Sequence, residues 1–290
     1  MSSLPVRHCQ NALNTIHSTV YFGSELDKEL AEYGVGDPMA CYLAGRAAAL
    51  GPVGPGVVTA AFYSFHHDMI AGHLPELWSL VSPQEVLAAR LRAADATLRR
   101  VLGEEALASR PMREAARLAL RATEGCARPG RPLYAAHADQ PVPDEPHLAL
   151  WYAATLLREH RGDSHIGALT AAGLDGLEAL VSHSAGEGGM PREVVMTKRG
   201  WTPEDWSAAE DRLRDRGLMA ADGTLTARGR QLRSDLEEET DHRDRAPYAH
   251  LGAEAAAELT RISGDFVVAA AAGGAFPEPL VGFFVRQHRR

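Results

Sequence analysis

The chain repeats itself weakly, and this self-similarity restricts its architecture more than any other feature. Shifted by 111 residues, Gly51, Gly56, Thr59, Ala60 and Ala61 fall on Gly162, Gly167, Thr170, Ala171 and Ala172. In the same frame, apolar Val58, Met69 and Ile70 fall on Leu169, Leu180 and Val181. A shift of 120 lays Ser82-Pro83-Gln84-Glu85 on Thr202-Pro203-Glu204-Asp205. This second match has a physical meaning. A hydroxyl at the N-cap, proline at the first helical position and an acid at the third start a helix in each case. Beyond it, Val86, Ala89 and Ala93 match Trp206, Ala209 and Leu213, the spacing of one buried helix face. An internal duplication predicts two related helical modules. The boundary is expected at 146/147, giving an N-terminal helical module over 1–146 and a second module over 147–290. Pro129, Pro132, Pro141, Pro143 and Pro146 make the end of the first module an extended strap.

In the second module the pattern predicts helices over 148–160, 166–183 and 202–216, the last stopped by Gly217. Residues 218–226 read as two short strands around an Asp222-Gly223 turn, and Ala227 opens a further helix. The closing segment 253–284 is expected to pack back as helix. The stretch RDRGLMAADGTLTARGRQL resembles the end of the recognition helix, the wing and the next helix of MarR-like winged-helix proteins. The whole chain resembles an actinobacterial family labelled helix-turn-helix or MarR-like. The residues that carry this likeness are GRAAALGPVGPGVVTAAFYSFHHDM, EPHLALWYAATLLREHRGDSHIGAL and RGWTPEDWSAAEDRLRDRGL. The resemblance implies a mainly α fold of two pseudo-repeated winged-helix-like modules, the second with a short two-stranded wing.

Family analogy implies DNA binding, but the charges point the other way. The recognition-helix segment carries Glu204, Asp205, Glu210, Asp211 and Asp215 against Arg212, Arg214 and Arg216, and the chain's net charge is -8. An acidic groove-facing helix is repelled by phosphate. Nucleic acid is therefore not expected as a partner, and a small-molecule ligand or substrate is, with a homodimer compatible with the pattern. Cys9, Cys41 and Cys126 lack metal-like spacing and read as reduced thiols. No signal-peptide layout appears at the start, and the apolar stretch 266–276 is too short for a bilayer. A cytoplasmic protein without a membrane partner is the expectation.

The densest chemical sequence is Arg158-Glu159-His160-Arg161-Gly162-Asp163-Ser164-His165, expected at a helix end and the loop after it. His147 lies upstream, and Arg46, Tyr63 and His66 occupy the related region of the first copy. Three readings stand side by side. In acid-base catalysis, His165, His160 or His66 moves a proton, Asp163 orients it, and Arg46, Arg158 or Arg161 holds an anion, with Tyr63 and His147 lining the site. In a metal site, histidines and a carboxylate hold zinc or iron, although no His-x-x-x-His pair supplies two ligands on one helical face. In the third, the run is a solvated helix terminus with His160 and Arg161 at the negative dipole end. The functional expectation is binding and chemical conversion of a small organic molecule of specialised metabolism, in a cleft between the modules. The competing expectation is a MarR-like DNA-binding regulator that senses a small molecule.

Overall fold

The computed structural model describes residues 3–186, 189–278 and 280–282. Among these residues it is mainly helical, as the periodicity predicts. In chain order the helices are α1 (Ser3–Ser18), α2 (Glu25–Ala31), α3 (Pro38–Ala47), α4 (Pro55–Phe62), α5 (His67–Ala71) and α6 (Glu76–Leu80). They continue with α7 (Pro83–Leu107), α8 (Arg110–Thr123), α9 (Pro132–Ala138), α10 (Pro146–Ala171) and α11 (Gly176–Ser184). The chain closes with α12 (Arg192–Arg199), α13 (Pro203–Asp215), α14 (Ala227–Arg243), α15 (Arg245–Leu251) and α16 (Ala253–Ala272).

The chain forms two compact units that are interleaved in sequence. The first comprises Met1–Pro52, Leu77–Gly162 and Asp241–Arg290; the second comprises Val53–Glu76 and Asp163–Thr240. The boundary expected at 146/147 falls inside the first unit. In that unit α1, α7 and α8 pack against α16, while α2 and α3 pack against α7. The second unit is built on the apolar faces of α11, α13 and α14, around Leu177, Val181, Trp206, Ala209, Leu213 and Leu236.

Several expectations change. Both N-caps exist, with Ser82 and Glu85 closing one capping box and Thr202 and Asp205 the other. They open helices of 25 and 13 residues that belong to different units. Residues 162–171 lie inside the single helix α10, whereas 51–61 span a turn and a short helix. The two winged-helix-like modules are therefore not present as copies: a shared helix-start device produced the second match, and the first joins segments of different structure. The helix break at Gly162 is also absent. A mid-helix glycine costs only about 1 kcal/mol, which packing of a helix this long outweighs.

The two-stranded wing is reduced to one antiparallel bridge, Met219 with Leu225, and no strand occurs among the described residues. Asp222 accepts from the backbone N–H and hydroxyl of Thr224, holding residues 220–224 as a turn. Gly217 and the start of α14 bound it so closely that no ladder can extend. The helix expected over 166–183 is interrupted at Gly173, whose φ is 65°. Helix α4 ends at Phe62, with Tyr63 at a φ of 60°, and α9 stands within the proline strap. In the closing segment α16 ends at Ala272; positions 279 and 283–284 of that expectation lie outside the described residues. No helix among the described residues is long and apolar enough to cross a membrane.

Candidate functional site

Unit 2 contains a helix-turn-helix. Helix α12 ends on Lys198 and Arg199, Gly200 reverses the chain with φ 76°, and Thr202 caps α13, leaving a three-residue turn. Residues 53–76 of the same unit buttress that turn. The His66 N–H donates to the Arg199 carbonyl at 2.8 Å, and Trp201 Nε1 donates to the Ser64 carbonyl at 2.9 Å. Arg199 lies 4.0 Å over the Phe65 ring, and His66 meets Trp201 edge-on. The Tyr63 hydroxyl donates to the Leu174 carbonyl. Gly200 and Gly176 are required by this packing. A Cβ on the first would come within 2.7 Å of Met69, and one on the second within 2.1 Å of the Tyr63 carbonyl oxygen. His66, expected at a substrate site, thus holds the turn in place, while Tyr63, expected beside it, ties the chain ahead of α11.

The arginines of α13 are occupied within the unit. Arg212 bonds Asp175 at 2.8 Å, and Arg216 bonds Glu178 at 3.1 Å and the Gly173 carbonyl at 2.8 Å. Arg214 pairs with Asp211 and Glu210. Asp205 is used by the capping box. Glu204, Ser207, Ala208, Asp211, Arg212 and Asp215 are exposed on α13, as are Lys198 at the end of α12 and Arg228 and Arg230 after the bridge. The helix α12 was not expected from the sequence, although Lys198-Arg199-Gly200 is a helix-end signal that could have revealed it.

The polar run on α10 divides. In unit 1, His160 is 1% exposed and its Nδ1 lies 2.6 Å from Asp244 Oδ1, with the Tyr134 ring packed edge-on. Burial raises the Asp244 carboxyl despite that contact. Arg161 bonds Asp241 at 2.8 Å, a carboxylate that Arg7 also holds. His147 donates from Nε2 to Asp95 at 2.6 Å. The acidic run at the end of α14 therefore buries Asp241 and Asp244. In unit 2, His165 Nδ1 meets the Thr240 hydroxyl at 2.8 Å, and Asp163 is buried. Both stand on a continuous helix instead of the expected loop. Among the described residues, no group of three or more His, Cys, Asp or Glu could hold a metal ion.

The densest buried polar cluster in unit 1 includes residues the sequence reading missed. Arg46 approaches Glu159 at 3.8 Å, and Arg158 bonds the same carboxylate. Burial pushes the Glu159 carboxyl up, but Arg158 and Arg46 outweigh it and hold it at about 2. Arg90 projects from α7 with its Nη1 3.0 Å from His137 Nε2 and its guanidinium 4.8 Å from the Trp151 ring centre. His137 Nδ1 faces the Leu133 carbonyl at 2.8 Å, so that nitrogen carries the proton and Nε2 accepts from Arg90. Burial, then Arg90, pushes His137 down to about 4, keeping it neutral. His17 stacks on Trp151 and is pushed well below the imidazole range by burial, then by Arg158 and Arg90. Thr155 gives its proton to the Trp151 carbonyl and so accepts from His17 Nδ1; His17 Nε2 then accepts from Tyr21. Arg90 was detectable: it sits on the apolar stripe of Val86, Ala89, Ala93 and Thr97, where a charge is out of place.

The chain matches a helix-turn-helix family over residues 6–277. No curated protein and no solved structure matches it. The match corrects the expectation that nucleic acid is not a partner, since helix-turn-helix families suggest DNA binding. In the fold Asp205, Glu210 and Asp211 are engaged by the cap and by Arg214, and Arg212 and Arg216 by Asp175 and Glu178, so the helix keeps its acidic excess and the family match alone carries the correction. From α1 to the residues after α16, this chain belongs to a helix-turn-helix family.

Proposed function

We propose that the protein binds duplex DNA through unit 2, in the manner of a transcriptional regulator. The observation that carries this reading is the α12-turn-α13 arrangement buttressed by residues 63–69, in a chain of the helix-turn-helix family. In such motifs the N-terminal residues of the second helix reach base edges. Here those are Glu204 and Ser207; a glutamate accepts from the cytosine amino group, and a serine serves several bases. Lys198, Arg228 and Arg230 supply phosphate contacts from either side. In the MarR-like arrangement that residues 214–232 resemble, the turn closed by Met219 and Leu225 flanks the duplex.

Unit 2 carries the whole net charge of -8, because acidic and basic residues balance in unit 1. Non-specific attraction to DNA is then weak, and binding rests on a few matched contacts. The test is fluorescence anisotropy with a duplex selected from a random-sequence pool, against a shuffled duplex. Three phosphate contacts give a log-log salt slope of about -3, and Lys198→Ala or Arg228→Ala each flattens it by about one. A pool that yields no enriched sequence, even at low salt, overturns the reading.

Catalysis by His165, Asp163, His160 and His66 gains no comparable support. His160 is committed to Asp244 in the core of unit 1, while His66 and His165 have separate partners in unit 2.

A further inference from the structure

Tyr63 is the one residue other than glycine with a positive φ among the described residues. Its φ of 60° and ψ of -54°, with the Ser64 N–H donating to the Phe62 carbonyl at 2.6 Å, form a γ-turn of the rare, strained hand. A bulky residue keeps such a backbone only where its surroundings over-determine it, and such positions gather where geometry matters to function. Three sets of contacts hold this one. The Tyr63 hydroxyl donates to the Leu174 carbonyl just ahead of α11, and Gly176 packs against the Tyr63 carbonyl with no room for a Cβ. The Ser64 carbonyl accepts from Trp201 Nε1 at 2.9 Å, and the His66 N–H donates to the Arg199 carbonyl at 2.8 Å, so both flanks of Gly200 are gripped. From α13, Arg212 and Arg216 reach back to Asp175 and Glu178 at the start of α11. These contacts close a ring of the γ-turn, the start of α11, α13 and the turn before it. Tyr63 is where the link to α11 and the link to the helix-turn-helix meet, with its ring packed against the core that α11 and α13 share.

We propose that Tyr63 is a positioning residue for the helix-turn-helix. It sets the geometry of the turn between α12 and α13 from the core side of α13, and through that geometry the affinity for a duplex. With its hydroxyl tied to Leu174, the γ-turn stays strained and aims the Ser64 carbonyl and the His66 N–H at the turn. Without that tie the backbone relaxes, and both groups leave Trp201 and Arg199. The effect on affinity rests on unit 2 being the duplex-binding unit; the effect on the turn does not.

The experiment compares the full-length parent with Tyr63→Phe, which keeps the ring and loses only the hydroxyl. Hydrogen exchange of the Trp201 indole proton is followed by NMR, with its resonance assigned by Trp201→Phe, and duplex affinity by fluorescence anisotropy with the selected duplex. In Tyr63→Phe the Trp201 indole proton exchanges at least about tenfold faster, while those of Trp78 and Trp151 in unit 1 keep the parent rate. Affinity falls at least about fivefold under conditions where urea curves show both proteins fully folded. The salt slope keeps the parent value, because no phosphate contact is lost. A merely structural hydroxyl would lower the unfolding midpoint and leave the affinity of the folded protein unchanged. Should Tyr63→Phe not fold, Tyr63→Gly adopts the γ-turn without strain and also lacks the hydroxyl, and the same two changes are expected of it. Unchanged Trp201 exchange, or unchanged affinity where the parent binds, overturns the proposal. If the parent enriches no duplex, the reading of unit 2 falls, and Trp201 exchange alone then upholds or overturns the hold of Tyr63 on the turn.

Discussion

The two units differ in the charges they bury. Unit 1 is electrically balanced and, besides surface pairs such as Arg99 with Asp95 and Arg117 with Glu114, encloses a charged interior: Arg46, Arg90 and Glu159 beside Trp151, and His160 against Asp244, are all nearly inaccessible to solvent. Unit 2 carries the chain's entire net charge and keeps most of its ion pairs at the surface, where Arg212 and Arg214 tie carboxylates of α11 and α13. A buried pair gains strength from a low dielectric, but loses heavily when one partner is removed. A surface pair is screened and nearly indifferent. Unit 1 is accordingly where single substitutions are most damaging, and unit 2 is where the surface can be rewritten at little cost in stability.

The largest effect that would break or sharpen this contrast is Glu159→Ala, which strips the buried Arg46 and the partly exposed Arg158 of their shared carboxylate. It is expected to destabilise unit 1 by about 3–5 kcal/mol, measured by urea unfolding. A variant as stable as the parent would mean that the cluster is solvated and the contrast false.

The next effect is on acid stability. His137 titrates near 4 in the fold against 6.5 when unfolded, so the unfolded chain binds the extra proton first. Its contribution is complete above 6.5 and is lost as the pH falls toward 4. Glu159, held at about 2 against 4.5, adds a second loss between 4.5 and 2. His137→Gln can still donate to Leu133 and accept from Arg90, and it is expected to flatten the urea midpoint between pH 6.5 and 4. An unchanged pH profile in this variant would remove His137 from the account.

The smallest effect belongs to unit 2. Arg214→Ala, which deletes the contacts to Glu210 and Asp211, is expected to leave the unfolding midpoint within measurement error. A clear loss would show that the surface network of α13 holds the helix-turn-helix as firmly as the core of unit 1 holds its charges.

Local chemistry alone determined a good deal. A hydroxyl, a proline and an acid in register start α7 and α13 wherever they occur, because the bonds that close a capping box lie within four residues. Gly217 stops the last turn of α13 for an equally local reason, its positive φ. The mainly helical character, the position of α13 and the helix after the Asp222 turn follow from such signals. The same locality explains the false duplication: a device common to many helices matched twice.

Only the tertiary structure decided the rest. Gly162 is a weak breaker, and whether α10 stops or continues depends on what its flanks bury, which no short window contains. That decision removed the loop expected to present Asp163 and His165, and with it the drawn constellation. Asp241 and Asp244 look like solvated acids in a charged run, yet they turn inward because Arg161, Arg7 and His160 await them from distant parts of the chain. Arg90 is the sharpest case. Its place on an apolar stripe was written in the sequence, but that no carboxylate among the described residues forms an ion pair with it is a property of the three-dimensional neighbourhood. Propensity and capping act over a turn of helix, whereas desolvation and ion pairing depend on which distant residues the fold brings within a few ångströms.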